Sequence, residues 1–184
     1  MNGNTHRKPK LEKEEIIYRG RRVTLTKRFY TFNNEEFIRE IVVFGQSVAI
    51  LPFKDMDQVI LIEQFRPSQN KWILEVPAGV IEENEKPEET AERELIEEIG
   101  YKPNKLVKMA SIYMSPGYSD EILHIYIALD LTRIGEKPEK GELIRIVTMN
   151  FNEALKKILK EEIVDAKTLL AFLLAKRYIK EGYS

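Results

Sequence analysis

A proline at position 87 and a glycine at position 100 bracket a stretch dense in glutamate that still carries the apolar spacing of a buried helix. Pro87 suits the first turn, where its missing N–H costs nothing, and Gly100 suits the end, where the backbone turns left-handed. Between them Ala91, Leu95 and Ile99 recur at steps of four, a stripe that a helix buries against a core. On another face Glu94 and Glu98 stand one turn apart, with Glu97 beside them. Like charges at that spacing destabilise an isolated helix by about 0.2–0.5 kcal/mol. Such a face is either a solvated surface or a set of ligands. A hard divalent cation takes oxygen donors, and Mg²⁺ is usually held by one or two carboxylates together with substrate phosphates. The helix by itself leaves both readings open.

Strand patterns dominate the rest of the chain. Residues 1–14 are polar and carry few apolar anchors, so they are expected to be mobile. Two hairpins follow over 15–45: one turns at Arg19-Gly20-Arg21 and leads into 22–29, and the second joins 30–32 to 36–44 through Asn33-Asn34. Short β-rich runs lie at 48–53, 59–65 and 72–76, and further strands are expected at 105–113, 122–131 and 143–149. Ser115-Pro116-Gly117-Tyr118-Ser119 reads as a loop. Asn152 is a candidate cap for a helix to about residue 160, and Asp165 for a last helix to about residue 181. In that last helix Leu169, Leu170, Leu173, Leu174 and Ile179 are expected to form the core face. The class is α+β, with residues 46–184 as the main domain.

Bulk properties narrow the partners. At 184 residues one domain with a sizeable core is the default, and a net charge of −1 argues against a general nucleic-acid binder. There are no cysteines, hence no disulfide and no thiol chemistry, and only two histidines, His6 and His124. His124 sits in an apolar run and reads as packing. No apolar run approaches the length of a membrane span and no secretory leader is recognisable, so a cytoplasmic location is expected.

The acidic stretch acquires meaning from its spacing. Gly79, five residues, Glu85, seven residues, Arg93-Glu94-Leu95, one residue, Glu97-Glu98, one residue, Gly100-Tyr101 resembles the Nudix box at every fixed position. The resemblance implies a loop–helix–loop that binds Mg²⁺ or Mn²⁺ and hydrolyses a nucleoside diphosphate linked to another moiety. It implies a mixed β-sheet sandwiched between helices, and an N-terminal antiparallel sheet used in a homodimer. Glu94, Glu97 and Glu98 would ligate metal, with the carbonyl of Ala78 completing the site, and Glu97 and Glu98 would serve catalysis. Glu85 and Arg93 match the remaining charged positions, and Arg93 would hold a neighbouring glutamate in its ligating rotamer.

Three further runs resemble the ADP-ribose pyrophosphatase branch of that family. Pro116 lies 15 residues beyond Tyr101, inside a Ser-Pro-Gly-Tyr-Ser-Asp-Glu run. There Pro116 and Gly117 would shape one wall of a pocket for the terminal ribose. Gln64-Phe65-Arg66-Pro67 offers Arg66, whose planar fork suits a phosphate oxygen. Glu75-Val76-Pro77-Ala78-Gly79 places Glu75 beside the metal loop. Arg39-Glu40 resembles a pair that reaches substrate, sometimes from the partner subunit. Phe29, Tyr30 or Phe32 could stack on adenine, although aromatics on alternating strands more often pack. The general base would come from a loop: Glu142, in Gly141-Glu142-Leu143-Ile144-Arg145, is the first choice and Glu139 the second.

The expected reaction is metal-dependent hydrolysis of ADP-ribose to AMP and ribose 5-phosphate. The alternatives are a sugar nucleotide, a dinucleotide cofactor or an oxidised nucleoside triphosphate as substrate, or a nucleotide-sensing regulator without turnover.

Overall fold

Two apolar runs without a polar break, Val48–Leu51 and Val59–Ile62, behave as strands covered on both faces: all eight side chains are at most 1% exposed. They belong to the second of two compact units in the computed structural model, which describes residues 7–135, 143–180 and 182. The first unit draws on Met1–Gly45 and Tyr113–Ile122, and the second on Gln46–Ile112 and Leu123–Ser184. Each is described by itself.

In the first unit β1 (Lys10–Arg19), β2 (Thr24–Phe32) and β3 (Glu35–Val43) form an antiparallel meander in that order. Asn33 and Asn34, both at positive φ (51° and 65°), make the two-residue turn between β2 and β3. The sequence pattern separates two hairpins near Tyr30. The structure instead runs one strand through that point, because β1 and β3 pair with opposite edges of the same β2. Strand β1 also begins at Lys10, inside the stretch expected to be mobile. Its side chains are almost all exposed, so the alternation that would announce it is missing. Charge supplies part of its pairing, since Arg28 Nε donates to Glu14 Oε2 across the ladder at 3.1 Å.

The Ser115–Ser119 turn belongs to this unit and not to the main domain where the sequence reading places it. Val42 N donates to Tyr118 O at 2.8 Å, and Asp120 Oδ1 accepts from Phe44 N (2.8 Å) and Gly45 N (3.2 Å). One carboxylate thus ties that turn to the end of β3.

The second unit holds two sheets. Strands β4 (Gln46–Pro52), β7 (Ala78–Val80), β8 (Tyr101–Tyr113) and β9 (Ile122–Arg133) lie in the order β7-β4-β9-β8. Strands β5 (Gln58–Arg66), β6 (Lys71–Glu75) and β10 (Ile144–Asn150) lie in the order β10-β5-β6, antiparallel throughout. Helix α1 (Pro87–Ile99) covers one side: Ala91, Leu95 and Ile99 join Val48, Ile50, Ile60, Ile62, Tyr126 and Ala128 in one core. Full burial of side chains of this kind is worth about 1.5–3 kcal/mol each. With two-residue alternation, Ala49 and Leu51 face the other way, and α3 (Ala166–Lys180) packs against β4. There Phe151, which opens α2 (Phe151–Leu159), stacks on Phe172 of α3 at 5.1 Å and meets Phe53 at 5.5 Å. The architecture is α+β, sheets clad by helices, as the sequence implies.

Two details differ. The cap of α2 is Asn150, whose Oδ1 accepts from Asn152 N and Glu153 N, so the helix starts before the expected Asn152. The buried stripe of α3 is Thr168, Ala171, Phe172 and Ala175, whereas Leu173 and Ile179 are half exposed. Phe172 on that stripe stacks on Phe151 of α2, and Leu173, one residue on, faces outward. Among the described residues no helix is long and apolar enough to cross a membrane.

Candidate active site

Strand β7 carries the site because of how it enters the sheet. Pro77 O accepts from Ile50 N at 2.9 Å, after which Ala78 pairs with Ala49 and Gly79 with Val48. Helix α1 packs against β4 and β7. Its start is fixed by Pro87 and by Glu89, whose carboxylate accepts from Lys86 N at 2.9 Å, and its end by Gly100 at φ 75°. The last turn holds Glu97 and Glu98 and no basic residue. Two carboxylates at the negative end of the helix dipole are unfavourable unless a positive charge stands nearby.

Arg93 supplies that charge, and every N–H of its guanidinium is used. Nε and Nη2 donate to Glu85 Oε1 (2.9 Å) and Oε2 (3.1 Å). Nη1 donates to Glu94 Oε1 (2.8 Å) and Glu97 Oε2 (3.1 Å), and Nη2 also donates to Val80 O (3.2 Å). Glu85 is held further by the Thr90 hydroxyl at 2.7 Å and the Glu82 N–H at 3.2 Å. The hydrogen bonds from Arg93 hold the Glu85 carboxyl at a pKa of about 2 against the opposing effect of burial, and in return Glu85 raises the pKa of Arg93. An open depression of about 420 Å³ lies alongside, lined by Glu89, Glu92, Arg93, Ile96 and Glu97.

Glu94 lies directly over Gly79. A Cβ at 79 would stand 1.7 Å from Glu94 Oε1, so the glycine is there to let the carboxylate approach the strand. Glu98 is 5% exposed, and its Oε2 accepts from Ala78 N at 3.1 Å. Glu94 and Glu98 therefore reach β7 at Gly79 and Ala78, while Glu97 is drawn to Arg93 beside Glu94. All of these donors are hard oxygens, the kind that a divalent ion of the Mg²⁺ type takes. The side chains as they stand point to Arg93 and to Ala78 N, and among the described residues no three acidic or histidine side chains converge on a single point.

Arg66 ends β5 opposite Lys71, and Glu75 ends β6 opposite Ile62, so the arginine side chain reaches back along the sheet to it. Glu75 is 1% exposed and takes a bidentate pair from Arg66, Nε to Oε1 at 2.7 Å and Nη2 to Oε2 at 2.9 Å. Burial works against the charge on Arg66, but Glu75 outweighs it, with Asp165 and Glu98 adding to the field, and the pKa stays above its usual value. Lys167 Nζ also donates to Glu75 Oε2 and to Asp165 Oδ1 (3.0 Å). Asp165 Oδ2 caps α3 through Thr168 N (2.9 Å) and Thr168 Oγ1 (2.6 Å), and Thr168 Oγ1 accepts from Val76 N at 2.9 Å. Sequence reasoning missed Lys167. Its signal was a cation in the first turn of a helix, where the dipole disfavours it and some carboxylate must compensate.

The remaining candidates fall elsewhere. Arg39, Glu40, Pro116 and Gly117 are in the first unit and all are exposed. Arg39 stacks on Phe37 at 5.0 Å, and Phe37 stacks on Tyr30 at 5.3 Å, so that aromatic pair is packed together. A Cβ on Gly117 would touch nothing within 4 Å. Glu139 and Glu142 lie outside the described residues.

Comparison with known proteins finds relatives across most of the chain. One similar protein, an ADP-ribose pyrophosphatase of Bacillus subtilis strain 168, is 40% identical over 141 residues, covering 76% of each chain. A methanol dehydrogenase activator of Bacillus methanolicus is 35% identical over 162 residues, 86% of this chain and 88% of the other. A crystal structure described as an ADP compounds hydrolase superposes with a TM-score of 0.85 over 97% of this chain and 98% of that one, at 24% identity, a likeness of fold. The model of the NUDIX domain matches residues 43–172, which include β4–β10 and the whole Gly79–Tyr101 motif, and the chain belongs to the NUDIX family.

Proposed function

We propose that this NUDIX protein is a pyrophosphatase that hydrolyses ADP-ribose-type diphosphates, with ADP-ribose itself as substrate and AMP and ribose 5-phosphate as products. The observation that carries the reading is the gathering of Glu85, Glu94 and Glu97 by one saturated arginine beside a glycine whose Cβ position Glu94 fills. The similarity to the Bacillus subtilis enzyme over three quarters of both chains supports ADP-ribose in particular.

Glu94, Glu97, Glu98 and the Ala78 carbonyl would hold Mg²⁺, with Mn²⁺ able to replace it. When bound, the ion neutralises the diphosphate and acidifies water beside it. The residues of the chain do the rest. Arg93, locked by Glu85, keeps Glu94 and Glu97 on one side of α1. Glu75 grips the Nε/Nη2 edge of Arg66, which leaves the Nη1 edge for a phosphate oxygen. Glu142 takes the proton of the attacking water, on the sequence pattern alone. Arg39, Glu40, Pro116 and Gly117 are candidate substrate contacts on the sequence resemblance alone. The exposed Ile16, Ile17 and Tyr18 of β1, each more than half exposed, favour a second copy as the cover for that sheet.

The test is a panel of ADP-ribose, GDP-mannose, NADH and nucleoside triphosphates, read by phosphatase-coupled phosphate release with Mg²⁺, Mn²⁺ or EDTA. ADP-ribose is expected to be turned over fastest, with no turnover in EDTA. Equal rates on GDP-mannose would remove ADP-ribose as the preferred substrate. Binding without product in either metal would make the protein a sensor.

A further inference from the structure

Buried Glu75 has two cationic partners where one would satisfy it. It already holds a bidentate pair with Arg66, yet Lys167, whose side chain is only 13% exposed, is brought from α3 to the same Oε2. That placement is unfavourable by itself, because a lysine in the first turn opposes the helix dipole. A fully buried carboxylate demands a compensating cation. If Arg66 were the sole source, the pair would be neutral and the arginine would have little net charge left for an anion. A second cation changes the sum.

We propose that Lys167 is a positioning residue for the diphosphate: by sharing Glu75 it keeps the positive charge of Arg66 available at the Nη1 edge. The inference rests on the diphosphate-hydrolase reading of this site. Among the described residues Arg66 Nη1 makes no hydrogen bond, while Nε and Nη2 are fixed on Glu75, so the fork is aimed and one edge is left for an oxyanion. Asp165 offsets part of the Lys167 charge through Oδ1, while its Oδ2 is taken by the Thr168 N–H and hydroxyl at the positive end of α3. The same turn of α3 holds Val76 N through Thr168 Oγ1, two residues before Ala78. The first turn of α3, next to Lys167, is therefore tied to the segment just before β7.

The experiment is steady-state kinetics of the full chain on ADP-ribose with Mg²⁺, comparing wild type, Lys167→Met, Lys167→Arg and the double variant Lys167→Met/Asp165→Asn. Lys167→Met is expected to raise KM about tenfold while kcat changes less than about threefold, the signature of lost uniform binding. Lys167→Arg should return KM to within about threefold of wild type. In the double variant a carboxylate charge is removed together with the ammonium, while the asparagine oxygen keeps the cap on Thr168, so KM should fall back toward wild type although Lys167 is still missing. A packing role would not be rescued in that way. The proposal is overturned if Lys167→Met keeps KM within about twofold, or if the double variant is no better than the single one. Should Lys167→Met not fold, the double variant decides: a KM near wild type supports the proposal and a tenfold rise refutes it. Failure of the functional reading shows separately, as wild type without turnover on ADP-ribose. Calorimetric binding of inorganic pyrophosphate to the same four proteins then reads the same ranking, and equal affinities overturn the proposal.

Discussion

Gly79 and Glu94 compete for one volume: the carboxylate of Glu94 occupies the place where any larger residue at 79 would put its Cβ, 1.7 Å from Oε1. Gly79 is not at positive φ, so the strand itself would accept another residue. What would not survive is the rotamer of Glu94 and its 2.8 Å bond to Arg93. Gly79→Ala is therefore expected to leave the fold in place, with less than about 2 kcal/mol of stability lost, and to cut kcat/KM by about 100-fold. Chemical denaturation and steady-state kinetics on the same preparation check both halves. Near wild-type turnover would show that the position of Glu94 is immaterial.

Glu98 tests the ligand assignment from the other side. Its Oε2 accepts from Ala78 N, and glutamine can keep that bond through its own carbonyl oxygen. Glu98→Gln should thus fold normally and melt within a few degrees of wild type. With the charge removed, it should lose about 10²–10⁴-fold in turnover with Mg²⁺. A rate near wild type would take Glu98 out of the reaction.

The motif region was legible in the sequence because its physics is local. Pro87, Gly100 and the Ala91–Leu95–Ile99 spacing place α1 without reference to the rest of the chain, and the structure buries those three side chains within 1%. What escaped depends on distant partners. Lys167 lies 92 residues from Glu75 and nothing near it in sequence announces the pair. The face of α3 was misread because five leucines and isoleucines outweigh two alanines on any hydrophobicity count, while close packing against β4 selects the alanines. Strand β1 has no buried face at all, so it left no period to read. Glu142, inferred from sequence pattern alone, is checked by Glu142→Gln, which should lower kcat about 100-fold and flatten the acidic limb of the pH profile.

Glu85 should make stability depend on pH in the acid range. Its pKa is lowered from 4.5 to about 2 by the hydrogen bonds from Arg93. The folded value lies below the unfolded one, so the folded protein binds fewer protons between them. The stabilisation is complete above pH 4.5 and is lost as pH falls toward 2. After allowance for solvent screening it is on the order of 2 kcal/mol. Urea denaturation of the metal-free protein across that window should show wild type losing this amount relative to Glu85→Gln. Parallel curves would mean that the Arg93–Glu85 bond contributes nothing net.

His124 offers a last check on the fold around β4, β8 and β9. Its Nε2 is 2.8 Å from Gln46 Oε1, which can only accept, and its Nδ1 is 2.8 Å from Ser111 Oγ. That pairing selects the neutral tautomer with the proton on Nε2 and the serine hydroxyl donating to Nδ1. Burial, with help from the charge of Lys108, lowers the pKa of the ring below 6.5. Because the folded value is below the unfolded one, stability is full above pH 6.5 and falls as the ring is forced to charge at lower pH. Nitrogen-15 NMR of the imidazole should find Nε2 protonated and Nδ1 bare at pH 7, with titration only below 6.5. Protonation of both nitrogens at neutral pH would contradict the placement of all three side chains.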